Sequence, residues 1–332
     1  MGLIVGNLSK EGYKPPLIHH ILKPKVTGDS INGLGEKEFR APKPIYHWVG
    51  IPGVRVAFHW VQNFFYWRDG RVPYFKERLE ECFKNLQQAR VAISTKKTED
   101  TPENWVRRIK EFALENEADE VGFTEIQPEW IYDGFEIKQK WIIMLGVTES
   151  YDKVKTAPDH ESNKEVLDQY NRGHRAAMKL ADWLRKQGWF ADCHKGFLGS
   201  PIAMVPAAIA AGFGELGKHG SIISRKHGPR IRLGYVITDI PLIADKPEEL
   251  FVDDFCMSCK LCTRECPTDA IHSEKQWVRG VKKWYVSFDK CLPYFNDTFG
   301  CNICIKACPF SLPDVSAPLF EKLKRRRKSS TK

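Results

Sequence analysis

Several things are missing from this 332-residue chain. There is no run of about 20 predominantly apolar residues, the length that a membrane-spanning helix needs. The most apolar stretch, residues 202–214, is too short and is interrupted by Pro206. A Gly-rich phosphate loop ending in Lys-Ser or Lys-Thr is absent, as is a dinucleotide fingerprint between a strand and a helix. Net charge is also low over most of the chain. Lys and Arg outnumber Asp and Glu by 51 to 42, giving +9, but residues 321–332 carry seven basic side chains against one acidic. The body is therefore only about +3, which argues against a nucleic-acid-binding surface. The start, MGLIVGNLSKEGYKPP, has no cationic segment ahead of an apolar run and no Arg-Arg pair. No export signal is expected from it.

Cysteine is scarce outside one window. Eight of the ten cysteines lie between Cys256 and Cys308, leaving only Cys82 and Cys193 elsewhere. A chain of this length buries a core without covalent staples, so crowding of this kind suits metal ligation in a reducing cytoplasm better than disulfides.

The spacing within the window is specific. Cys256, Cys259, Cys262 and Cys266, the last followed by Pro267, form the run that bacterial ferredoxins use for iron–sulfur clusters. Cys291, Cys301, Cys304 and Cys308, followed by Pro309, repeat it with a nine-residue loop in the first spacer. In two-cluster ferredoxins the fourth cysteine of each run ligates the other cluster. Exchange of that kind places Cys256, Cys259, Cys262 and Cys308 on one [4Fe-4S] cluster, and Cys291, Cys301, Cys304 and Cys266 on the other. A four-cysteine zinc site is the competing reading, although zinc sites rarely show this paired arrangement. Two such clusters side by side conduct single electrons. The sequence leaves open which of them faces outward.

Upstream, residues 101–116 read as a helix opened by Pro102 and Glu103, with Trp105, Ile109, Phe112 and Ala113 on one face. Residues 120–126 and 140–147 read as strands, the second apolar enough to be buried on both sides. Residues 165–187 form a long amphipathic helix with Val166, Tyr170, Ala177, Ala181 and Leu184 near one stripe, ended by Gly188. Ser200-Pro201 opens a short helix that closes at Gly212, and residues 233–237 form a further strand. This pattern predicts an α/β or α+β layered domain over residues 46–245. Residues 1–45 read as an extended arm, 246–318 as a ferredoxin-like double-cluster module, and 319–332 as a basic disordered tail suited to an acidic partner.

The stretch GFGELGKHGSIISRKHGPRIRLGYVITDIPL (212–242), followed by the cysteine runs, resembles the core of the cobalamin-dependent reductive dehalogenases. Epoxyqueuosine reductases are a related group, and residues 167–191 resemble the same family. The resemblance covers about Ala118 to Pro313. It implies a nitroreductase-like fold holding a base-off corrinoid beside the ferredoxin module. It also implies reductive removal of halide from a small, aromatic organohalide. Tyr170 matches the family's proton donor; a phenol stays protonated at neutral pH, and a neighbouring cation helps it release the proton. Lys195 and Arg230 are the candidates for assisting groups, with Arg232 as the alternate. Gly212, Gly214, Gly217 and Gly220, with Glu215, are the candidates for close approach to the macrocycle. The simpler readings are a core tyrosine, surface cations and helix-capping glycines.

Other signals stay weaker. Asp192-Cys-His194-Lys-Gly196 nearly matches the signature of proteins that ligate cobalamin through histidine, but Phe197 stands where glycine is required. His194 is read as an ordinary polar loop residue. Trp60, Phe64, Phe65, Tyr66 and Trp67 form an aromatic cluster suited to core packing or to lining an aryl pocket. Epoxyqueuosine reductases carry an Asp before the glycine segment, whereas residues 199–206 here hold no carboxylate. Fused reductase modules are not evident, so an external low-potential ferredoxin or flavodoxin is the expected electron donor. Three functions compete: a reductive dehalogenase, another corrinoid reductase of the epoxyqueuosine type, and an electron carrier with a degenerate corrinoid pocket.

Overall fold

The computed structural model describes Lys14, Leu17, Ile21 and residues 26–45, 71–194, 196, 199–298 and 300–330. Lys195 and the cluster from Trp60 to Trp67 lie outside the described residues.

Two strands, β1 (Glu120–Glu125) and β2 (Trp141–Thr148), pair antiparallel, Phe123 opposite Ile143. With β3 (Ala191–Cys193) and β6 (Ile231–Thr238) they make a four-stranded sheet in the order β1-β2-β6-β3, antiparallel at every junction. Residues 141–147 are all buried, and the two-residue period of a strand sorts them between two cores. Ile143 and Leu145 join Trp105, Ile109, Leu180 and Leu184 on one face; Ile142 and Met144 join Ala207, Phe213 and Tyr235 on the other. Helices cover both faces, so this antiparallel strand is continuously apolar, as anticipated from its composition.

Helix Pro102–Glu115 begins where expected, the Thr101 hydroxyl accepting from the Asn104 amide at 3.3 Å. The long helix spans His160–Lys186, starting earlier than its apolar stripe because Asp159 caps it. It ends before Gly188, whose φ of +85° suits a residue without a side chain. The short helix on the opposite face is Met204–Ala210 and does not start at Ser200. The Ser200 hydroxyl instead bonds the backbone of Ile202 on both sides, donating to its carbonyl and accepting from its amide. That local loop competes with helix capping.

A hairpin of β4 (Gly214–Leu216) and β5 (Ile222–Ser224) leads into the cysteine-rich part. There, helices Val252–Ser258, Leu261–Arg264, Phe288–Asp297 and Ile303–Lys306 flank the hairpin of β7 (Gln276–Val278) and β8 (Val281–Lys283). The expected boundary near residue 245 is not a gap in packing. Ile223 of β5 shares a core with Val252, Trp284, Phe310 and Phe320. Nor is the basic end structureless. Ser316–Ser330 is a helix that buries Phe320 and Leu323, with Phe320 stacked on Phe310 at 4.8 Å between ring centroids. From the arm, Asp29 accepts bonds from Tyr285, Ser287 and the Phe288 amide, fastening residues 28–32 to the cysteine-rich part.

Candidate active site and electron relay

A cavity of about 540 Å³ opens between the long helix, the end of β6, the β4–β5 hairpin and the cysteine-rich helices. Tyr170 reaches it from the long helix and Arg232 from β6, and Cys291, Cys301 and Cys304 line it from the cysteine-rich part. The Arg232 guanidinium stands 5.3 Å from the centroid of the Tyr170 ring. On its other side Arg232 Nε donates to Glu149 Oε1 at 2.8 Å. Glu149 is fully buried just beyond the end of β2. Burial raises the Glu149 pKa, and the Arg232 charge works against that rise. Burial likewise works against the Arg232 cation, but Glu149 and then Tyr170 more than offset it and hold its pKa above the ordinary value.

Arg230, the first candidate for an assisting cation, is elsewhere. It precedes β6 and donates to the carbonyls of Ser311 and Glu149, tying the sheet to the cysteine-rich part. The alternate, Arg232, is the one at the cavity. Arginines two apart would share a face on a regular strand, but Arg230 stands just before the first residue of β6 and its side chain is held by those two carbonyls instead. Glu149 carried no recognisable signal in the sequence, being a single carboxylate after an apolar run. Residues 199–206 contribute Gly199, Ser200, Ile202, Met204 and Val205 to the lining, with no carboxylate among them.

The glycine segment divides. Gly220 borders the cavity; Gly212, Gly214 and Gly217 do not. A Cβ on Gly214 would lie 2.0 Å from the Ile223 carbonyl oxygen, so that glycine is required by the hairpin itself. Gly212 closes the short helix at φ +83°. Glu215 also faces away, its two oxygens accepting from the amides of Leu250 and Val252 at 2.6 and 2.8 Å. It caps the helix that carries Cys256. His219, next to Gly220, lines the cavity with an Nε2 that has no hydrogen-bond partner among the described residues, and burial depresses its pKa to about 4. His194 is not a loop residue in water: it is buried beneath the sheet end, accepts from the Tyr235 amide at 3.3 Å, and burial lowers its pKa to about 4.

Cys308 feels Cys256, Cys262 and Cys259. Cys291 feels Cys301 and Cys266. Cys304 feels Cys301 and Cys291 first, then Cys262 ahead of Cys266. Cys308 thus lies by the first run and Cys266 by the second, while Cys262 acts on thiols of both groups. Burial pushes the Cys256 and Cys301 thiols up to about 11 and Cys291 to about 12. Buried thiols of this kind ionise poorly alone, and iron supplies the charge that stabilises their thiolates. Among the described residues no three His, Cys, Asp or Glu side chains converge on the position of a single ion, as a zinc site requires. The quartet of Cys266, Cys291, Cys301 and Cys304 is proximal to the cavity. The other is distal, in a segment where Met257, Ser258 and Lys260 are exposed.

Residues 255–312 match the 4Fe-4S dicluster domain family. A domain of this kind holds two four-iron clusters, and the match includes all eight of the clustered cysteines. A tetrachloroethene reductive dehalogenase of Desulfitobacterium hafniense is 33% identical over 205 residues, covering 57% of this chain and 36% of that protein. Among solved structures, one described as a reductive dehalogenase with a mechanism for B12-dependent dehalogenation aligns at TM-score 0.65 and 25% identity. It covers 73% of this chain and 37% of its own. The chain resembles the reductive dehalogenases. An epoxyqueuosine reductase of Vibrio cholerae is also related, at 29% identity over 166 residues, 46% of this chain and 44% of that protein. The chain thus spans little more than a third of the length of the dehalogenases it matches. Among the described residues no helix is long and apolar enough to cross a membrane.

Proposed function

We propose that this chain is the catalytic core of a corrinoid- and iron–sulfur-dependent reductive dehalogenase acting on a small aromatic organohalide. The observation that carries the reading is that a phenol, its cation and three thiols of the proximal quartet line one cavity. A bound corrinoid supplies a cobalt centre that single electrons reduce to a strong nucleophile. Gly196, Gly199, Gly220 and Ser221 at the cavity border leave room for a flat macrocycle, and the unpartnered His219 Nε2 offers it a polar contact. The part of the fold that holds it is taken to be of the nitroreductase type.

In this reading Tyr170 Oη donates the proton that replaces halide. Arg232 stabilises the phenolate left behind, and Glu149 holds Arg232 against the ring. Phe75, Phe295 and Ile231 give the cavity apolar walls that exclude water and accept an aryl ring. Lys195, adjacent in sequence to this lining, is kept as a second assisting cation. Electrons enter from an external low-potential ferredoxin or flavodoxin at the distal quartet and leave through the proximal one.

The test is anaerobic production with added cobalamin, followed by metal analysis, low-temperature EPR and a halide-release screen over haloaromatics. Two four-iron clusters, one low-spin cobalt(II) signal per chain and release of halide are expected. Clusters without cobalt would leave an electron carrier. Cobalt without halide release would favour the epoxyqueuosine-type reductase.

A further inference from the structure

Lys218 is fully buried, yet no carboxylate pairs with it among the described residues. Its Nζ donates to the carbonyl oxygen of Cys259 at 3.1 Å and lies 4.6 Å from the centroid of the Trp284 ring. Its backbone amide bonds Cys256, and its charge also acts on Cys262. Trp284 is itself fixed by an indole N–H bond to Asp253 at 2.9 Å. One residue therefore touches or acts on three of the four distal ligands. An isolated buried ammonium is very costly unless an opposite charge compensates it. The four thiolates of an iron–sulfur cluster supply that charge, and the cluster gains a further negative charge on reduction. Burial leads the influences on Cys291 and Cys301 of the proximal quartet, and the groups that act after it are other thiols, a backbone amide and Thr298.

We propose that Lys218 is a redox-positioning residue: its buried ammonium favours the reduced distal cluster and sets that cluster's potential above that of the proximal one. An incoming electron then settles first on the distal cluster. The inference rests on the iron–sulfur assignment and is independent of dehalogenase activity.

EPR-monitored redox titration of the cluster-loaded protein tests it, with iron content measured on each sample. Lys218→Met should keep both clusters and lower one midpoint potential by at least tenfold in the one-electron equilibrium, about 59 mV. Lys218→Arg should stay near the wild-type value. A Lys218→Met protein with full iron and unchanged potentials would overturn the proposal. If that variant loses the distal cluster, the wild-type protein decides. Cys259→Ser and Cys304→Ser mark which EPR signal belongs to the distal and which to the proximal cluster. The first cluster to be reduced in the wild-type protein should be the one that Cys259→Ser perturbs; reduction first of the one that Cys304→Ser perturbs would overturn the inference.

Discussion

Arg232 stands over the ring of Tyr170, 5.3 Å from its centroid, while its other side is held by the buried carboxylate of Glu149. A guanidinium held in this way is pre-positioned, so in the proposed reaction the charge that a departing phenolic proton leaves behind would be met without reorganisation.

Tyr170→Phe removes the proposed proton donor but keeps the ring against which Arg232 packs. Iron and corrinoid content should stay at wild-type levels while halide release falls by about 100-fold or more. Full activity in that variant would mean that the proton comes from elsewhere.

The two arginines should separate cleanly. Arg232→Met leaves Glu149 buried without its partner and should lower stability by roughly 3–5 kcal/mol as well as activity. Arg232→Met with Glu149→Gln should recover most of the stability and none of the turnover. Arg230→Gln should affect thermal stability more than chemistry, since Arg230 bonds two backbone carbonyls away from the cavity. Thermal midpoints and halide release on the same samples distinguish these outcomes.

Cysteine variants report on the crossing of the two runs. Cys266→Ser should perturb the same EPR signal as Cys291→Ser, and Cys308→Ser the same one as Cys256→Ser. Pairing of Cys266 with Cys256 would refute the exchanged arrangement.

Buried histidines set a pH dependence. Burial lowers the His174 pKa to about 3 and those of His194 and His219 to about 4. An unfolded chain protonates histidine below about pH 6.5, whereas these three stay neutral in the folded state to well below that. The unfolded state therefore takes up more protons, and stability should fall as pH drops from about 6.5 towards 4. Glu120, which burial pushes up to about 7, acts in the opposite sense by holding a proton in the folded state. Glu120→Gln should thus steepen the fall in thermal midpoint between pH 7 and pH 5.

The cysteine ligands were legible in the sequence because their spacing is local: three thiols in seven residues can face one cluster with little help from the rest of the fold. The buried strand Trp141–Thr148 and the helix from Pro102 were legible for the same kind of reason, as each declares itself by period and cap. The site behind Tyr170 was not, because Glu149 meets Arg232 across 83 positions. Choosing between Arg230 and Arg232 needed the point at which β6 begins, two residues too fine for a pattern. The basic end misled through charge alone. Phe320 and Leu323, three residues apart within it, are the amphipathic signal that the charges obscured.

Cys291, Cys301 and Cys304 line the cavity, and in the proposed reading the same side chains hold the proximal cluster. The iron site and the substrate pocket would then share a wall. Loss of the proximal cluster should therefore loosen whatever occupies the cavity, and cells starved of iron should accumulate protein that retains supplied corrinoid less well.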